Sequence, residues 1–315
     1  MGMIGESLAG RMKKLDKIAA LQDSARSLQG MGLDPRGVRG VREHIEAGLD
    51  PLHATYATMQ HLTSMFAEGV SVLPEWKAYG DIVGPAEEEY MPEGPPWSPL
   101  TRSYFTCWAF FDVRFGPDKE TMGTCFLEVN HQLGFSADMS TVLELMQESR
   151  MGIYEHRGAR AGRVVLRELT GQQTYECYVP AGYVGQKGQC WLVRRLPPIG
   201  ALFDYSVVFT TPYVLTGQSK EDWLAFLNRA LLAAGETNQR ISLDEFMKYG
   251  LSTHYWHEYL FQAYHHHQRE AIFLRGLPDV QGSLPHGDLR KDQPESLGRR
   301  KNRNRHLKRK KSRRK

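Results

Sequence analysis

Six residues with metal-ligand chemistry fall within a short span: His254, His257, Glu258, His265, His266 and His267. The sequence predicts one helix over 253–274. There His254, His257 and Glu258 stand at i, i+3 and i+4, share a face and could offer two or three ligands to one divalent ion. His265 lies two turns further on, about 10 Å beyond Glu258 by helix rise, and cannot join them. The His-Glu-x-x-His order of zinc proteases is absent, because Phe261 stands where the second His belongs. Tyr255, Trp256, Tyr259, Phe261 and Tyr264 interleave with these residues, so packing is the simpler use of the helix. A metal-dependent enzyme centred on His254, His257 and Glu258 is the alternative reading. No cofactor is expected.

The most specific chemistry is electrostatic. Between residues 299 and 315, 12 of 17 positions are Lys or Arg and none is acidic: Arg299, Arg300, Lys301, Arg303, Arg305, Lys308, Arg309, Lys310, Lys311, Arg313, Arg314 and Lys315. Such a run cannot bury a core and is expected to be disordered. It would bind a dense polyanion by releasing condensed counterions, reading charge rather than base identity. The partner expected is nucleic acid, RNA more than DNA, or an acidic protein. The rest of the chain has the opposite sign, with 28 basic against 36 acidic residues in 1–298, a net of −8 behind the overall +4. Glu87, Glu88 and Glu89 could receive the tail when no partner does.

Other signatures fail on spacing. The stretch from Glu236 to Phe246 has the rhythm of the second half of an EF-hand loop. Ala234 and Gln239, however, occupy the first-ligand and turn-glycine positions. Ser242-x-x-Glu245 is better read as a capping box. Gly182, Gly185 and Gly188 fall between two predicted strands, where a turn suits them better than a phosphate loop. No P-loop or G-x-S-x-G elbow occurs. Asp112 and Arg114, set in an aromatic run, read as a structural ion pair. Cys107, Cys125, Cys177 and Cys190 form no C-x-x-C pair and are expected to be reduced and partly buried.

The elements that must position these residues form an α+β fold. Residues 1–75 read as helical. Ile4, Leu8, Met12, Leu15 and Ile18 make one apolar stripe, which could dock on another chain. Asp34-Pro35 and Asp50-Pro51 announce two more helices. Residues 76–100 hold too much Pro and Gly for a regular element and read as an extended connector. A core over 101–215 follows. It opens on Tyr104, Phe105, Trp108, Phe110, Phe111 and Phe115, a run that fits a strand covered on both faces or a buried helix. Helices are predicted near 119–133 and 137–149. A small antiparallel β-barrel of about five strands is predicted over 151–214. Helices return over 216–278, and 279–315 is the disordered tail. Tyr175, Tyr178, Tyr183 and Trp191 are possible base-stacking residues on the barrel, with core packing their simpler use.

The runs Arg163-Val-Val-Leu-Arg-Glu-Leu-Thr-Gly171 and Gly188-Gln-Cys-Trp-Leu-Val-Arg-Arg-Leu-Pro-Pro198 carry a resemblance. They look like the small β-barrel of uncharacterised bacterial proteins that also bear a cysteine-rich SEC-C metal-binding module. The resemblance implies the barrel and no catalytic residues, and this chain lacks the SEC-C cysteines. With 41% hydrophobic residues, no apolar run of membrane-spanning length and no secretory signal pattern, the expectation is a soluble cytoplasmic protein. It is expected to be non-enzymatic and to hold RNA or another polyanion through its tail.

Overall fold

The computed structural model describes residues 2–22, 41–70, 76–93, 98–133, 137–171, 173–236 and 241–287. Its helices before the sheet are α1 (Met3–Gln22), α2 (Val41–Glu46), α3 (Pro51–Val70), α4 (Lys77–Tyr90), α5 (Arg102–Cys107), α6 (Met122–Leu133) and α7 (Ala137–Glu148). The strands are β1 (Met151–Arg160), β2 (Arg163–Glu168), β3 (Thr174–Tyr178), β4 (Cys190–Leu196), β5 (Ser206–Val208) and β6 (Tyr213–Thr216). Then come α8 (Lys220–Glu236), α9 (Leu243–Tyr249), α10 (Tyr255–Ala263), β7 (Tyr264–His267) and β8 (Ile272–Arg275). The α+β class and the barrel expected from the sequence are both present.

The start of the α1 apolar stripe is used within the chain. Ile4, Leu8 and Ala9 are buried, and the helix packs on α6. Its unsatisfied N-terminal amides find carboxylates far along the chain: Ile4 and Gly5 donate to Glu120, and Met3 donates to Asp118. Asp50 heads α3 as its Asp-Pro signal predicts, its Oδ1 accepting from the Leu52 and His53 amides. Asp34-Pro35 lies outside the described residues.

Two stretches before the sheet differ from the sequence reading. Much of the expected connector is α4, which carries Pro85 in its interior. The lost amide falls on an exposed part of the helix, while Ala86 and Tyr90 bury a spacing of four against the core. The aromatic run at 104–115 is helical. Thr101 caps α5 by accepting from the Tyr104 amide, and the chain then widens into a π-turn over Trp108–Asp112, where Val113 donates to the Trp108 carbonyl. Side chains buried on every side fit either a two-faced strand or a buried helix, so periodicity could not choose between them.

β1, β2 and β3 form an antiparallel meander, and β4 returns beside β1, giving the spatial order of a Greek key. β5 then closes the barrel, parallel to β3 and antiparallel to β4. This is the Greek-key plan of OB-type barrels. Within the barrel, the β3–β5 pair is parallel, where the sequence reading expected antiparallel strands. β1 serves both walls, bending at a register shift between His156 and Gly158, where Gly158 takes a φ of 130°. Trp191, Val193, Leu166, Cys177 and Val208 fill the interior. β6, β8 and β7 extend the sheet beyond β4.

The helix predicted over 253–274 stops at Ala263, and a hairpin replaces its second half. Gln268 donates to Ala271 across the turn, and Ile272, Phe273 and Leu274 are buried as β8 pairs in parallel with β6. His265, His266 and His267 are therefore exposed on β7. The Ser242/Glu245 capping box opens α9 as expected.

Candidate functional site

The polybasic run 299–315 lies outside the described residues, which end at 287. Of the candidate ligands, His254 is the N-cap residue of α10, and His257 sits one turn in and is buried. His257 is walled by aromatic rings: Trp108 at 4.3 Å between ring centres, Tyr90 at 4.8 Å, Tyr104 at 5.6 Å and His254 at 5.6 Å. Glu258 accepts the Tyr90 hydroxyl at 2.5 Å. The helical spacing does bring the three together, but in an aromatic setting. Among the described residues, no group of three or more His, Cys, Asp or Glu could hold a metal ion.

A site the sequence did not reveal centres on Asp112. The π-turn aims its carboxylate at β4, where Arg194 donates from Nη1 and Nη2 at 2.8 and 2.9 Å. Arg194 also donates from Nε to Ser149 Oγ and from Nη2 to the Ser149 carbonyl. Asp112 pairs with this residue and not with Arg114, whose guanidinium lies over the Tyr249 ring. A second cation, Lys248 of α9, sits 3.7 Å from Asp112 Oδ1 and donates to the carbonyls of Gln147 and Ser149. The two cations thus cap the carbonyls at the end of α7. Arg194 and Asp112 are 1% and 5% exposed and Lys248 is 9% exposed, so one buried carboxylate faces two buried cations. Burial pushes the Lys248 ammonium down to about 8, against the pull of Asp112.

Lys248 also lines a cleft of about 660 Å³ between α7, α9 and the open end of the barrel. Arg150 bridges Glu168 at 2.9 Å and Asp244 at 2.5 Å within it. Tyr154, Tyr175 and Arg195 form the barrel side. Strand alternation explains the split between neighbours: Arg194 points out toward the helices, so Arg195 points in with Trp191 and Val193.

Of the four barrel aromatics, Trp191 is a core residue, Tyr183 packs beside it, and Tyr175 lies under Arg195. Only Tyr178 is exposed, at 41%, with Tyr205 6.2 Å away and Arg163 lying 4.2 Å over Tyr205. Arg163 also reaches Glu176 at 3.8 Å and Asp204 at 3.6 Å. Gly182, Gly185 and Gly188 all have positive φ, which fits the turn reading. All four cysteines are free and buried.

No family model, no curated protein and no solved structure matches the chain. The likeness of residues 151–214 to SEC-C-associated barrels rests on the motifs quoted above alone.

Proposed function

We propose that this protein is a non-enzymatic binder of RNA or another dense polyanion, engaged through Arg299–Lys315. The observation that carries the reading is the charge of that segment, 12 cations in 17 residues without one acid. Two features of the body support it. OB-type barrels, whose Greek-key plan β1–β5 follow, commonly receive oligonucleotides on the face of their second and third strands. Residues 151–214 hold seven basic against four acidic residues inside an otherwise acidic body, and Tyr178, Tyr205 and Arg163 offer stacking surfaces on the wall.

The test compares the full chain with a 1–298 truncation on mixed RNA and DNA over a salt series. With six to ten cations engaged, affinity should fall by about 10³–10⁵ between about 50 and 200 mM salt, and the truncation should lose most binding. Binding that survives truncation with an unchanged salt slope would sink the tail. If neither form binds at low salt, nucleic acid is the wrong partner, and an acidic protein becomes the reading to pursue.

A further inference from the structure

Among the described residues Arg195 has no carboxylate partner. Its guanidinium lies 3.7 Å over the centre of the Tyr175 ring and donates from Nη1 to Ser206 Oγ at 3.0 Å. Its Nε is sealed from solvent and finds no acceptor. The Tyr154 hydroxyl and the Cys177 thiol are its other polar neighbours, and neither carries negative charge near neutral pH. An arginine cannot escape this by losing its proton, so the charge and the sealed donor both stay in place.

Lys248 lines the same cleft and is the second cation facing the one carboxylate of Asp112. The acids of the cleft do not cancel these charges. Glu168 and Asp244 are taken by Arg150, and Glu245 is committed to the Ser242 capping box. Glu148, Asp244 and Glu245 are exposed at the rim, where solvent and salt screen them more than the inner cations. The interior is therefore cationic beneath an acidic rim.

We propose that this cleft binds a small organic phosphate, its phosphoryl oxygens facing Arg195, with Lys248 adding positive charge from the cleft wall, and its organic part lying against Tyr175 and Tyr249. A dianionic head answers two cations, an arginine fork suits phosphate oxygens, and the volume of about 660 Å³ falls within the usual ligand-site range. This site is independent of the basic tail, and neither reading needs the other.

The experiment uses the full chain with two probes, inorganic phosphate and phenyl phosphate, followed by titration calorimetry. The tail attracts phosphate as well, so Arg195→Gln is compared with wild type while the tail stays intact. The variant should bind phenyl phosphate about tenfold more weakly or worse. Equal affinity in the two proteins overturns the proposal. A second readout needs no variant. Backbone amide exchange is followed by mass spectrometry with and without phenyl phosphate. Exchange should slow severalfold in β4 and α9, which carry Arg195 and Lys248, and stay unchanged in α1. No slowing in β4 and α9, or equal slowing in α1, overturns the proposal even if Arg195→Gln fails to fold.

Discussion

Asp112 is a buried carboxylate shared by two buried cations. It meets Arg194 twice and Lys248 once at a point closed to water, and its partners hold the end of α7. Removing one partner of a buried ion pair leaves an uncompensated charge. Asp112→Asn should therefore cost about 3–5 kcal/mol in denaturant unfolding. The loss should shrink in a Lys248→Met background, because fewer cations are then stranded. Lys248 itself titrates in the opposite sense to a stabilising pair. Its folded pKa, near 8, lies below its ordinary value, so between about 8 and 10.5 the unfolded chain holds the extra proton. Stability should rise across that window in wild type relative to Lys248→Met, and a flat difference would remove the buried-cation account. His156 behaves alike at lower pH. Its Nδ1 accepts from the Gly158 amide while Nε2 donates to the Val184 carbonyl, which fixes one neutral tautomer in the β1 bend. Burial lowers its pKa below 6.5, so the fold should lose stability as pH falls below that value. His156→Gln should flatten that loss in urea melts taken from pH 7 to 5.

At the scale of elements, α1 shows how a helix end is tied to distant chain. The Glu120 carboxylate takes two of its first amides, the role an N-cap side chain normally fills locally. Glu120→Ala should cost about 0.5–2 kcal/mol. Hydrogen exchange should show the loss concentrated in α1, with the barrel unchanged. No local motif announces this contact, because Glu120 is more than a hundred residues away. Elements with local grammar were legible: Asp50-Pro51 opens α3, Ser242-x-x-Glu245 opens α9, and the short apolar runs Val164–Leu166 and Trp191–Val193 mark β2 and β4. What stayed hidden depended on tertiary context. The π-turn and α4 are held by burial that overrides their local signals. The hairpin β7–β8 interrupts a helical pattern because β6 offers its edge to Ile272–Arg275. The candidate site was split the same way. His254, His257 and Glu258 could be grouped by helical spacing. The meeting of Asp112, Arg194 and Lys248, and the inward turn of Arg195, required the barrel to close first.

For the whole molecule, the governing fact is the division of charge along the chain, −8 over residues 1–298 and +12 over 299–315. If the tail binds as a set of independent phosphate contacts, its effect should be graded. Residues 299–307 hold five of the twelve cations and 308–315 the remaining seven. On single-stranded RNA each engaged cation contributes about −0.7 to the slope of log K against log salt, so full engagement gives a slope near about −8. Truncation after Leu307 should bring it to about −3.5, and truncation after Gly298 close to zero. Scrambling the order of residues 299–315 at fixed composition should leave slope and affinity nearly unchanged, because counterion release counts charges and ignores their sequence. A steep loss on scrambling, or one slope shared by all three lengths, would mean that the acidic body supplies a specific contact the charge division does not describe. Arg163 beside Tyr178 and Tyr205 would then be the first residue to substitute, with RNA affinity at fixed salt as the readout.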